Sequence, residues 1–373
     1  MMMPPCPHAV SKIASLALVT YTYNDHDLVD DLLSSVRCWS VRPKEIIVVD
    51  DGSRCRFTDK NQLQALTILR HDRNRGPTLA KAAGIRAVTS KFFLSVDADV
   101  RLPPQWAEAC LPHVAEREIG MVSSRVRHET GSPAMDTYLD GLYAPKQEVG
   151  LVRFIPGPVF AMRKDTYDLV GGFAGHAAPR GEDTYLCQQL LRHGLRLYKM
   201  DGVEACQQRK LTLVQCMKRC VSWDLPYFEK RSAKGDSLVD TLPAFFMKCR
   251  QRMAFLPPDD AVVRYIGILF LVSGSLTIAG LNPAEPEGPR YVWRSFADYF
   301  SPFPHILGAL ARDIARIGLT SPVMAGEGCF FAGIDALLDM LFERRALSAM
   351  DQALRTATVD EPAHPHYSMY MEE

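Results

Sequence analysis

Short apolar runs, each ending in a polar turn, alternate with stretches whose apolar residues recur at helical spacing through the N-terminal part of this chain. Ser15 to Tyr21 (SLALVTY) is β-prone and ends in the turn Thr22-Tyr23-Asn24. Behind Asp25 or Asp27 as the cap, Leu28, Leu32, Val36 and Trp39 mark one face of a helix, and Pro43 closes that unit. Glu45 to Val49 (EIIVV) is almost continuously apolar, as central parallel strands are, and runs into Asp50-Asp51-Gly52-Ser53. Leu66 to Leu69 is a short third strand. Arg75-Gly76-Pro77 opens a helix through Val88, with Pro77 at its first position. Lys91 to Leu94 is a fourth strand leading into Ser95-Val96-Asp97-Ala98-Asp99-Val100. Strands alternating with helices predict right-handed βαβ units around a parallel sheet.

The acids fall where that pattern places ligands. Both Asp50-Asp51 and Asp97-Ala98-Asp99 follow strands, at the carboxyl edge where open α/β sheets bind their ligands. A hard cation takes oxygen ligands, and Mg²⁺ uses one or two carboxylates together with substrate phosphates. Asp97 and Asp99 therefore point to a metal-bridged phosphate ligand; a plain polar turn is the competing reading. Past Pro104, Gln105 to Glu116 reads as a helix and Gly120 to Val126 as a strand. Val152 to Met162 is a strand broken at Pro156-Gly157-Pro158, a bend that lets backbone approach a ligand. Glu182 and Asp183 open a helix marked by Leu186, Leu190 and Leu191, where acids also complement the helix dipole.

Taken in order, Thr22-Tyr23-Asn24, Val48-Val49-Asp50-Asp51-Gly52-Ser53, Asn74-Arg75-Gly76, Asp97-Ala98-Asp99, Gly171-Gly172-Phe173 and Gly181-Glu182-Asp183 resemble the family 2 glycosyltransferases of GT-A fold, over residues 15 to about 225. The resemblance implies an α/β GT-A domain with a mostly parallel central sheet, spanning 1–230; the remainder, 231–373, falls outside it and reads as mainly helical from its own pattern. It implies that Thr22, Tyr23, Asn24, Asp50 and Asp51 bind the nucleotide of a sugar donor, with Asn74, Arg75 and Gly76 flanking it. Asp97 and Asp99 would sit at the diphosphate with Mn²⁺ or Mg²⁺, Asp99 as the more direct metal ligand. Pro156, Gly157, Gly172 and Phe173 would shape the sugar and acceptor pocket. Asp183 would be the general base, oriented by Glu182. The implied reaction is metal-dependent transfer of one sugar, with inversion, from a nucleotide-diphosphate sugar of UDP type to an acceptor hydroxyl in glycan or glycolipid synthesis. These residue types suit it, because a diphosphate leaving group needs its charge neutralised and a hydroxyl needs a base.

This sequence departs from the family pattern twice. Many members carry a histidine beyond the Glu-Asp pair, but here the region reads Glu204-Ala205-Cys206-Gln207-Gln208-Arg209. Arg209 or Lys210 either substitutes by charge or belongs to a solvated basic run. Processive polysaccharide synthases carry Gln-x-x-Arg-Trp, whereas Gln215, Arg219 and Trp223 here share one helical face and read as packing. A catalytically silent nucleotide-sugar-binding scaffold of the same fold is the alternative. A phosphatase with Asp97 as nucleophile would leave the other acids without roles.

Composition narrows the partners. The 373 residues allow about two domains, and a net charge of zero leaves no footprint for nucleic acid. The 10 cysteines are scattered, with no C-x-x-C pair; Cys206, Cys216 and Cys220 read as reduced thiols in preference to a zinc site. No secretory signal is read in Met1 to Ala9, and the expectation is a protein of the cytoplasm or of the cytoplasmic face of a membrane. Ile266 to Leu281 is the most apolar run but is short for a membrane span, which needs about 20 apolar residues. Ile306, Leu307, Leu310, Ile314 and Ile317 line one face of another helix, and Ala336 to Met350 forms a third; the tail after Asp351 is polar. The helical region leaves open a cap over the acceptor site, a homodimer, or peripheral membrane contact through 262–281 or 305–318.

Overall fold

The computed structural model describes residues 12–61, 63, 65–144, 148–176, 181–281, 286–318, 338–339 and 341–356. It divides into two compact units, Met1–Arg209 and Lys210–Glu373, so the boundary lies earlier than the expected 230. The first unit is built on β1 (Lys12–Thr22), α1 (His26–Val36), β2 (Val41–Asp50), β3 (Leu66–Arg70), α2 (Pro77–Arg86) and β4 (Phe92–Val96). There follow β5 (Val100–Arg101), α3 (Trp106–Ala115), β6 (Ile119–Glu129), α4 (Pro133–Tyr143), β7 (Gly150–Val152), β8 (Val159–Arg163), α5 (Lys164–Leu169), α6 (Glu182–Arg192) and β9 (Arg196–Gln208).

Among the described residues these strands form one sheet in the order β3-β2-β1-β4-β8-β6-β9-β5, with β7 beside β9. The block β3-β2-β1-β4 is parallel, as the alternation of strands and helices predicts. Beyond it the sheet is mixed: β8 runs antiparallel to β4 and β6, and β5 and β7 run antiparallel to β9. The two longest ladders, β1–β2 and β6–β9, are both parallel, so the sheet is mostly parallel as expected, with the antiparallel pairings confined to its second half. The chain passes from β4 through β5, α3, β6, α4 and β7 before β8 returns along β4 in the opposite sense. Pro43 does not end its unit. It lies inside β2, where the β1–β2 register slips between Ala14 and Ala17, a place that tolerates the missing donor.

The two faces of β1 divide the core. Leu16 and Leu18 pack with Val29, Leu32 and Leu33 of α1 and with Trp106 of α3. Ala17 and Val19 face the other way, with Ala80 and Ile85 of α2, Tyr167 of α5 and Leu186 of α6. The period of two along the strand carries this division. β1, β2 and β4 all end at the same edge of the sheet, and their terminal turns carry the acids.

The second unit is helical: α7 (Leu213–Ser232), α8 (Leu238–Met253), α9 (Ala261–Gly280), α10 (Gly288–Phe300), α11 (Pro304–Ile317) and α12 (Arg344–Thr356). α9 extends the apolar run to 20 residues and is long and apolar enough to cross a membrane, yet 78% of its most apolar window is buried inside the protein. It packs against α7, α8, α10, α11 and α12. Tyr265 donates to Asp313 at 2.5 Å within this core. The stripe expected on α11 is also consumed by packing, since Ile306, Leu310, Ile314 and Ile317 are buried. Both stretches are packed largely within the second unit. Of the helix expected over Ala336 to Met350, residues 336, 337 and 340 lie outside the described residues, as does the tail from 357; the described helix starts at Arg344.

Candidate active site

The turn after β2 is assembled by its own acids. Asp50 Oδ1 accepts from the Ser53 N–H at 2.9 Å and Oδ2 from the Phe57 N–H at 3.1 Å, and Arg70 pairs with Oδ2. Burial works against this charge, but the bonds from Ser53 and Phe57 and the Arg70 charge hold the carboxyl below its usual range. Asp50 is thus a turn organiser, its carboxylate buried and bonded within its own loop. Asp51 ties this turn to the next. Its Oδ1 accepts from the Arg75 N–H at 3.0 Å and lies 2.6 Å from His71 Nδ1, and its Oδ2 accepts from the Gly76 N–H at 2.8 Å. Gly52 is required where these loops cross, because a Cβ there would stand 2.4 Å from the Arg73 carbonyl carbon. Asn24, at φ 60, donates its N–H to Ser53 Oγ at 2.9 Å and accepts from the Arg54 N–H at 2.9 Å. Thr22 Oγ1 is buried with no hydrogen bond. The structure therefore joins Thr22-Tyr23-Asn24, Asp50-Asp51 and Asn74-Arg75-Gly76 into one loop cluster.

A second cluster forms around a lysine that the sequence reading passed over. Lys81 projects from α2 with its side chain only 3% exposed. Its Nζ lies 3.1 Å from Asp97 Oδ1, 3.1 Å from Glu182 Oε1 and 3.1 Å from the Gly157 carbonyl oxygen, to which it donates. The Tyr21 ring is 5.7 Å away. Burial opposes the ammonium charge, yet Asp97 and Glu182 outweigh it and hold Lys81 well above the ordinary lysine range. Glu182 responds in kind: burial pushes it up, and Lys81 overrides that and holds it low. A sequence signal for Lys81 existed, since it is a lone charge in the small-residue stretch Ala80-Lys81-Ala82-Ala83-Gly84 of a helix that packs closely on the sheet. Gly84, three residues on, would bring a Cβ within 2.5 Å of Val19.

Asp183, at the start of α6, accepts from the Gly157 N–H at 3.1 Å through Oδ2 and from its neighbour Thr184 N–H at 2.7 Å through Oδ1. Burial, with the charge of Glu182, lifts it above the usual aspartate value. Gly157 is the shared backbone element of this cluster. A Cβ there would meet Lys81 Nζ at 3.2 Å, Glu182 Oε1 at 3.4 Å and Asp183 Cβ at 3.5 Å. The broken strand at Pro156-Gly157-Pro158 thus serves as a close approach of backbone to charged side chains. Gly172 and Phe173, expected to shape the sugar pocket, are not part of this charged cluster. Phe173 is buried in the core with its ring 5.6 Å from Tyr167, and Gly172, at φ +50, leaves room for the Tyr167 ring.

The two acids of Asp97-Ala98-Asp99 have different partners. Burial lifts Asp97 to about 6, against the pull of Lys81 and with the push of Asp99. Its Oδ1 is buried with no hydrogen bond of good geometry, and the Lys81 ammonium lies 3.1 Å from it. Asp99 is saturated: Gln207 Nε2 donates to both carboxylate oxygens at 3.1 Å and Arg209 Nε donates to Oδ2 at 2.7 Å. Arg209 Nη2 also reaches Asp25 Oδ2 at 3.0 Å, so Arg209 is no solvated basic run. A cation taking Asp99 as the more direct metal ligand, as expected, would have to displace Arg209. Among the described residues no group of three His, Cys, Asp or Glu side chains converges to hold a metal by itself, and Cys216 and Cys220 are free thiols. A hard cation needs only one or two carboxylates besides donor phosphates. Asp25, Asp97, Asp99, Glu182 and Asp183 outnumber Lys81 and Arg209, and Asp97 Oδ1 lacks a hydrogen bond of good geometry, so the residues present fit such a cation.

Comparison with known proteins bears on this site. Residues 17–174 match the family model described as glycosyl transferase family 2. The pre-mycofactocin glycosyltransferases of two Mycobacterium tuberculosis strains are 30% identical over 172 residues, 42% of this chain and 36% of theirs. The chain thus spans about a third of the length of those relatives. Among solved structures, a mannosyltransferase from Pyrobaculum calidifontis in complex with GDP-Man and Mn²⁺ gives a TM-score of 0.45 at 15% identity, covering 94% of this chain and 89% of that one. Residues 1–349 of S. aureus TarS in complex with UDP-GlcNAc give 0.44 at 14% identity, covering 76% and 91%. Residues 17–174, which hold both strand-end acid turns and the Lys81 helix, are thus the segment in which this chain matches the family 2 glycosyltransferases.

Proposed function

We propose that the first unit transfers one sugar from a nucleotide-diphosphate donor to an acceptor hydroxyl, in a single displacement with inversion. The observation that carries this reading is Lys81, whose ammonium bridges Asp97 on the donor side to Glu182, the neighbour of Asp183, on the acceptor side. In this reading Asp183 takes the acceptor proton as the hydroxyl attacks; its raised basicity suits that task. Lys81 holds Glu182 ionised and in place, and the Gly157 N–H orients Asp183. The loop cluster of Thr22, Asn24, Asp51 and Gly76 receives the nucleotide. Asp97 and Asp99 would hold a divalent cation, Mn²⁺ or Mg²⁺, which when bound supplies Lewis-acid neutralisation of the diphosphate. A UDP-linked hexose or N-acetylhexosamine and a glycan or lipid-linked acceptor are the substrate classes we favour. A second reading, a silent nucleotide-sugar-binding scaffold, draws on the internally saturated Asp99. Nucleoside diphosphate release from a panel of UDP- and GDP-sugars, with Mn²⁺ and with glycan or lipid-linked acceptors, separates the two. Turnover with one donor supports the transferase; donor binding without turnover on any acceptor supports the scaffold.

A further inference from the structure

Asp99 is a carboxylate 2% exposed, and a charge buried that deeply is strongly destabilising unless it is compensated at all times. Arg209 supplies that compensation, through the 2.7 Å bond from Nε, and Gln207 fills the remaining acceptor sites. A cation approaching Asp99 therefore meets a competitor already in place. The exchange of one cation for another is permitted electrostatically, whereas loss of Arg209 without replacement is not.

Arg209 is built to move without leaving. Its pairings use Nε and Nη2, only part of a fork of five donors, and the side chain keeps 32% exposure. The second anchor, Asp25, lies in the turn after β1 beside Thr22-Tyr23-Asn24, so a guanidinium released from Asp99 stays tethered within the loop cluster. A planar, permanently charged fork matches phosphate oxygens in a bidentate way. The local charge argues in the same direction. Asp25 and Asp99 together outweigh Arg209, so in the pairing seen the region repels a diphosphate; transfer of Asp99 to a divalent cation reverses that balance.

Resting on the transferase reading above, we propose that Arg209 is a placeholder on Asp99, displaced by the divalent cation and handed to the donor diphosphate as a phosphate contact. Metal and nucleotide binding are then coupled through one side chain. The cation alone binds weakly because it must displace Arg209, and the nucleotide regains that loss by accepting the freed guanidinium.

The test is Mn²⁺ binding followed by electron paramagnetic resonance, and UDP and GDP binding by calorimetry with and without Mn²⁺, on the full chain. Arg209→Met removes the competitor. It should tighten Mn²⁺ binding in the absence of nucleotide by roughly tenfold, and weaken Mn²⁺-supported nucleotide binding by roughly tenfold, each about the size of one charge-assisted hydrogen bond. The Arg209→Lys variant separates this from loss of the charge alone, which shifts both affinities in those two directions. Unchanged or weaker Mn²⁺ binding in folded Arg209→Met overturns the proposal and leaves the transferase reading intact. Should that variant not fold, Arg209→Lys keeps the charge without the fork. Mn²⁺ alone should then bind within about threefold of the parent while nucleotide affinity with Mn²⁺ falls severalfold; nucleotide affinity equal to the parent overturns the proposal. Wild-type protein that binds neither UDP nor GDP with Mn²⁺ overturns the transferase reading itself, and this inference with it.

Discussion

Asp183 owes its chemistry to the residues around it. Burial and the charge of Glu182 raise its basicity, while the Gly157 and Thr184 N–H groups fix its orientation. A base works only when deprotonated, so transfer should fall as pH drops through a value above the usual aspartate range near 4. A pH–rate profile of nucleoside diphosphate release checks this; a flat profile down to pH 4 contradicts it. Asp183→Asn should cut turnover by roughly 10²- to 10⁴-fold and leave donor affinity within a few-fold, read by kinetics and calorimetry. Lys81 is the other decisive residue. Lys81→Met leaves Asp97 and Glu182 buried without their cation, and breaking a buried pair costs about 3–5 kcal/mol. Thermal unfolding measures it, and an unchanged melting temperature would remove Lys81 from the centre of the site.

At the scale of elements, the site is a meeting of ends. β1, β2 and β4 stop together at one sheet edge, α2 brings Lys81 beneath them, and the start of α6 brings Glu182 and Asp183. The segment between β7 and β8 passes through the middle, and Gly157 is where backbone touches all three charged groups. Gly157→Ala should fold with a melting temperature within a few degrees, because flexible side-chain ends meet the new methyl. Turnover should nevertheless fall, by up to about 10²-fold, since displacing reacting groups by about 1 Å costs that much. Full activity in Gly157→Ala would show that this close approach has no catalytic weight. The turn after β2 behaves differently: Asp50 is held by the chain it organises, so its acid serves shape.

Across the whole molecule, two units divide the work. The first carries every acid of the candidate site, and the second is a helical body around α9. Leu269 of α9 is fully buried, and Leu269→Ala should destabilise that unit by about 2–5 kcal/mol through lost contacts and the cavity left behind. Chemical denaturation followed by far-UV circular dichroism would read this; a loss under 1 kcal/mol would indicate that α9 is not the centre of its packing.

Local patterns sufficed for much of this protein. Runs of apolar residues and their turn signals placed β1 to β4, α1 and α2, because parallel strands buried on both faces must be apolar and helices on a sheet must show a stripe. The acids at strand ends were equally legible, since Asp50, Asp51, Asp97 and Asp99 directly follow those runs. Tertiary structure alone decided what each acid does. Whether an aspartate organises a turn, holds a cation or accepts a proton depends on partners far along the chain, and no local pattern records them. Asp99 meets Arg209 and Gln207 only because β9 comes back beside β5, and Asp97 meets Lys81 only because α2 packs under the sheet edge. The direction of β8 and the burial of α9 are of the same kind. Apolar runs specify that a segment is buried; only packing against the rest of the chain specifies against what.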